Sequence, residues 1–134
     1  MSDTTNTLQI PGAQLESIEQ TDNEITLHFS QVQLVQEMEG AIEDSLWTQA
    51  VNLTISGFEI DGALPACPCV IKRGDMTDNI FTYRDHAPLP INWQGEVCCK
   101  LTVAGNDSGF TISGIAINVE QLDNPRYIKH FKKT

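Results

Sequence analysis

The chain has 134 residues, 40% of them hydrophobic, which suits one domain with one core and is too apolar for a chain disordered throughout. Its net charge is −10; the last nine residues hold four of the eight basic residues and none of the eighteen acids, so residues 1–125 carry −14. A body this acidic repels nucleic acid and anionic membrane, and no apolar run approaches the roughly 18 residues needed to span a bilayer.

The N-terminus, MSDTTNTLQIPG, is polar and carries only Asp3 as a charge. It lacks the basic start and apolar stretch of a secretory signal. The expectation is a disordered tail over residues 1–7, then a single β-domain over 8–134 whose last nine residues form a basic tail. The cytoplasm, where thiols stay reduced, is the expected compartment. Residues 15–19 read as a weak edge strand.

Next comes a phrase used three times. HFSQVQL spans 28–34, TISGFEI spans 54–60 and TISGIAI spans 111–117. Each carries alternating apolar residues that change parity in the middle. Leu27 and Phe29 give way to Val32 and Leu34; Leu53 and Ile55 to Phe58 and Ile60; Phe110 and Ile112 to Ile115, Ile117 and Val119. A period of two means strand, because successive side chains point to opposite faces. A change of parity would send half of them into water unless the register resets. A β-bulge or kink does this, and a two-residue hairpin would also do it. Ser-Gly and Ser-Gln fit tight hairpins poorly, so long bulged strands are expected over 24–36, 49–61 and 109–121.

Between these, QEMEGAIEDS should form a loop with a short helix at most, since Gly40 and the acids disfavour more. Its Glu37, Glu39, Glu43 and Asp44 lack the spacing of a calcium loop. Short strands are expected at 70–72 and 79–84, and a cleanly alternating one at 96–104. Turn signals lie in IDGALP, KRGD, HAPLP and AGNDSG. The sum is an all-β chain, an antiparallel β-sandwich or partly closed β-barrel of about 7–9 strands, with bulged strands and little helix. Trp47, Phe58, Phe81, Trp93 and Phe110 are the expected core anchors.

Reactive residues are few. Cys67, Cys69 and Cys98 could join a metal or thiol-sensing site, with His28, His86 or His130 as a fourth ligand. The spacing does not match paired Cys-x-x-Cys knuckles, however. Cys98 and Cys99 are neighbours on an alternating strand and must face opposite ways, with Cys99 inward. Asp85-His86 places a carboxylate beside an imidazole, but no nucleophile motif accompanies it and a strand end explains it. Neither a phosphate-cradling glycine loop nor a dinucleotide fingerprint is present, so no cofactor is expected. Trp93 follows the proline-rich HAPLPIN and could stand at a barrel mouth with Tyr83 and His86 as a small-ligand platform.

The tail NPRYIKHF resembles the ending of a family of small bacterial all-β proteins, through the pattern Pro-Arg-Tyr-hydrophobic-x-x-Phe. Trp47 before a strand and the turn APLPINWQGEV are similar too. That family has no assigned activity, so the resemblance implies no catalytic residue here. On its own chemistry, the segment with Tyr127, Ile128 and Phe131 could lie over an open sheet edge while its lysines stay wet. The expected function is a non-enzymatic cytoplasmic β-domain that binds a protein partner or a second copy of itself. The alternatives are a small-ligand binder near Trp93 and a sensor through Cys67 and Cys69.

Overall fold

The computed structural model describes residues 4–105 and 107–132. Ten strands run through them: β1 (Thr4–Gln20), β2 (Glu24–Met38), β3 (Glu43–Ser56), β4 (Glu59–Asp61), β5 (Cys69–Asp78), β6 (Phe81–Arg84), β7 (His86–Pro88), β8 (Asn92–Val103), β9 (Gly109–Gln121) and β10 (Arg126–Lys132). Every pairing is antiparallel. Strands β3, β2, β1, β5, β8 and β9 follow one another around the sheet, and β3 pairs with β9, closing a six-stranded barrel. Closure removes the open edges that a flat sheet would leave. No helix occurs among the described residues, and none is long and apolar enough to cross a membrane.

The parity changes are bulges and kinks. In β2 the pairing with β3 skips between Phe29 and Val32, so Leu27, Phe29, Val32 and Leu34 all stay buried. β3 and β4 lie end to end along the same strand, Ser56 opposite Ala116 and Glu59 opposite Ser113, so Ser56-Gly57-Phe58 is a kink in one path. β9 runs unbroken through Ser113-Gly114, burying Ile112 and Ile117 on the same side. Ile115 is the exception: it is expected inward with Ile117, yet it is 63% exposed, because it sits at the slip and leans over Gly57. A fourth slip lies in β1, where Leu8 and Ile10 precede Ala13 and Leu15, all buried. Its break is Pro11-Gly12, and Gly12 takes a φ of 85°, a torsion open to glycine at no steric cost.

Several expectations needed revision. Of residues 1–7, expected as a disordered tail, residues 4–7 are strand paired with Val35 to Met38, and residues 1–3 lie outside the described residues. The weak edge at 15–19 belongs to a seventeen-residue strand with β2 on one side and β5 and β7 on the other. The acidic stretch forms the turn between β2 and β3, and Glu43 and Asp44 are already strand. Arg73-Gly74-Asp75 lies inside β5 rather than in a turn. Gly74 is buried there, because a side chain would meet Leu101 Cδ2 at 2.5 Å and Ile10 Cγ2 at 2.9 Å. Phe81 is 57% exposed, while Phe110 is buried and Trp47, Phe58 and Trp93 pack against the core from partly buried positions. The expected all-β barrel stands, with ten strands, or nine when β3 and β4 are taken as the one kinked path expected over 49–61; β7 and β10 have no expected counterpart, because they carry little apolar alternation of their own.

The β3–β9 seam depends on close backbone approach at Gly114, where a Cβ would lie 2.5 Å from Ser56 O and 2.6 Å from Ile55 Cγ2. Backbone cannot yield as a flexible side chain can. Gly114→Ala is therefore expected to lower stability by about 1–3 kcal/mol, the usual range for overpacking. Urea denaturation measures it, and an unchanged midpoint would show that the seam opens freely.

Candidate functional site

The sequence-expected platform is partly assembled. Trp93 and Tyr83 stack with ring centroids 5.6 Å apart and 21° between planes, and Phe81 packs on Tyr83 at 4.6 Å. Trp93 lies opposite buried Ile117 and Tyr83 opposite buried Met76, so both rings sit on the core side of their strands. Both pack against the core from partly buried positions. Below them the core is filled: an apolar void of about 20 Å³ bordered by Met76, Cys99 and Leu101 has room for about one water. His86 stands apart from the ring pair's role, exposed on β7 opposite Gln9. Its neighbour Asp85 accepts a hydrogen bond from Gly74 N at 3.1 Å, so that carboxylate ties a corner and does not orient the imidazole. Asp85 holds a φ of 63°, and its backbone also bonds Gly74 and Ile10.

The cysteines divide. Cys67 and Cys69 are neighbours in space, and all four thiols are unpaired. Burial and then Cys67 raise the Cys69 thiol above its ordinary value. Cys98 lies opposite Thr77, eight residues along β5 from Cys69, which is roughly 26 Å of strand. The set Cys67, Cys69 and Cys98 is therefore not brought together, because strand direction carries Cys98 to the far end of β5. Among the described residues no group of three or more His, Cys, Asp or Glu converges on a metal-sized site. His28 is engaged elsewhere, with Nδ1 2.7 Å from Asn52 Oδ1 and Nε2 3.3 Å from Glu19 Oε1. Burial raises the Cys98 thiol as well, against the opposing pull of Lys100.

A second region, which sequence reading underrated, is built on the far half of β3. One edge of β3 pairs with β2 throughout. The other edge is shared: residues 51–56 pair with β9, and residues 43–48 pair with β10. The chain crosses from β9 to β10 over buried Gln49. Its side-chain amide donates to Asp123 O, and its Oε1 accepts from Gln121 Nε2 at 2.8 Å. Ala50 N donates to Asp123 Oδ1 at 3.1 Å, and Leu122 N donates to Ala50 O at 3.0 Å. These bonds fix where β10 lands. Tyr127 then meets Trp47 edge to face at 5.4 Å, and its hydroxyl shares a 2.5 Å hydrogen bond with His130 Nδ1. Trp47 Nε1 donates to Ser45 Oγ at 2.8 Å, which locks the indole. A groove of about 490 Å³ opens beside it, bordered by Gln36, Met38, Ile42, Ser45, Trp47 and His130.

Much of this end is apolar yet wet: Met38 is 44% exposed, Ile42 84%, Tyr127 50% and Ile128 44%. Such clustering beside a groove marks an interaction surface more readily than scattered single residues do. β10 itself brings Arg126, Lys129 and Lys132, and it pairs with β3 alone among the described residues. It is a basic strand laid on an acidic body, with one backbone edge open.

Removing the Gln49 amide strands one acceptor, Asp123 O, and one donor, Gln121 Nε2, at the crossing. Gln49→Leu is expected to cost about 1–3 kcal/mol, and hydrogen exchange should then show β10 opening ahead of the barrel; uniform protection loss would contradict that order. Burial pushes the Cys99 thiol up to about 12, from an ordinary 9.0. Between those values the unfolded chain loses the proton while the folded chain keeps it, so the contribution is intact below pH 9 and is lost as pH rises toward 12. The expected slope from this group is about 1.4 kcal/mol per pH unit. Cys99→Ala should flatten the alkaline limb of a stability–pH curve relative to the parent, and parallel curves would refute the assignment. No protein-family model, no curated protein and no solved structure matches the chain.

Proposed function

We propose that this chain is a non-enzymatic, cytoplasmic association module, and that it takes a protein partner along the open edge of β10. The observation that carries the reading is the placement of that strand. Its amides and carbonyls on one side are available for strand addition, a mode in which main-chain bonds supply affinity and alternate side chains supply selection. Exposed Tyr127 and Ile128 offer apolar contact, and Arg126, Lys129 and Lys132 select for acidic sequence. Four unpaired cysteines suit a reducing compartment. The small-ligand reading near Trp93 has less support, since the stacked rings pack on each other and on the core, whose void is about 20 Å³.

The test places a photo-crosslinking amino acid at Ile128, and at fully exposed Ile80 on the β5–β6 turn as a control. In cells, Ile128 should give one adduct of discrete mass, be it a copy of the chain or another protein, and R126E/K129E should abolish it. No discrete adduct, or the same adducts from both positions, would defeat the proposal.

A further inference from the structure

We infer that the partner is a second copy of this chain, joined head to tail, the β10 edge of one copy pairing with the β4 edge of the next. The inference rests on the association reading above and names its occupant. The sheet path has two ends, β10 and β4, and among the described residues each pairs with one neighbour only. The two ends carry opposite charge: Arg126, Lys129 and Lys132 on β10, Glu59 and Asp61 on β4.

The spacing matches as well as the sign. β10 is bulged at Ile128, so Arg126 stands opposite Thr48, Tyr127 opposite Trp47 and Lys129 opposite Leu46. Arg126 and Lys129 therefore occupy one face, two strand steps apart, although three residues separate them in sequence. That is the outer face, because Trp47 lies on the side of buried Val51, Leu53 and Ile55. On β4, Ile60 sits opposite buried Ile112, which leaves Glu59 and Asp61 on the outer face, also two steps apart and both exposed. Joining the edges with inner faces aligned sets Arg126 and Lys129 against the two carboxylates and brings Ile60 beside Tyr127. Opposite charges directly across a strand pair stabilise it, and like charges destabilise it. A two-fold β10–β10 contact would oppose basic residues, so the arrangement is heterologous and yields a ring or an open chain of copies.

Charged and very short edge strands are also a common defence against association, and a monomer is what that role predicts. Sedimentation of the full chain separates the two. At low salt the wild type should assemble in a concentration-dependent way, and about 1 M salt, where the Debye length falls to about 3 Å, should weaken assembly about tenfold or more. R126E/K129E alone and E59K/D61K alone should each be monomeric, with unchanged circular dichroism. Their equimolar mixture should assemble, since each then offers the edge that the other lacks. A wild type that stays monomeric at low salt, a monomeric mixture, or variants that assemble alone would each overturn the inference. A monomeric wild type together with a single foreign adduct at Ile128 would sink the second-copy assignment and leave the association module standing.

Discussion

The far edge of β3 is the constraint on which the remaining architecture depends. A strand of fourteen residues is longer than the seam that a six-stranded barrel of this size can use. Residues 51–56 are consumed in closing the barrel against β9. Residues 43–48 project past it and would leave a row of unpaired backbone groups, which the chain covers with its own last strand. β1 is extended in the same way, and its second edge is filled by the short β7 and by β5. The molecule is thus a closed barrel that continues at one end into an open sheet, and that sheet carries exposed Tyr127 and Ile128 with Arg126, Lys129 and Lys132.

The handover from β9 to β10 costs a buried polar residue. Gln49 is 5% exposed between Trp47 and the apolar run Val51, Leu53 and Ile55, and it is tolerable there only because both ends of its amide are bonded. The same bonds set the height at which β10 begins, and so decide that Tyr127 meets Trp47 and that Arg126 and Lys129 face outward. One satisfied amide in the sheet therefore links the packing of the barrel to the chemistry of its rim. Charge follows: Arg126, Lys129 and Lys132 are held against a net −14 body on an ordered strand, where their side chains have fixed directions and a fixed spacing.

Strand identity was legible because alternation is a local property. The parity slips were legible too, since Leu53 and Ile55 against Phe58 and Ile60 cannot share a dry face without a kink. The facing of Cys98 and Cys99 followed from the same rule, and Cys99 is fully buried. Where local signals misled, a neighbour had overridden them. The polar opening reads as a loose tail, but residues 4–7 are strand, because Val35 to Met38 of β2 continue alongside and hold the backbone. Arg73-Gly74-Asp75 reads as a turn, but it is strand because β8 pairs with all three residues, and Leu101 and Ile10 leave no room for a Cβ at Gly74. The platform residues were partly legible: Tyr83 and Trp93 do meet, while His86 is exposed on β7 opposite Gln9.

Taken alone, the sequence determined the all-β class, the bent strands, most of the inward residues and the separation of acidic body from basic tail, because periodicity and charge are read along the chain. Tertiary structure decided that the sheet closes through β3 and β9, that Cys98 lies far from Cys67 and Cys69, and that the last strand shares the edge of β3. Those outcomes depend on which strands become neighbours and in what register. Pairing joins residues far apart in sequence, such as Trp47 and Tyr127, and no local pattern encodes that choice.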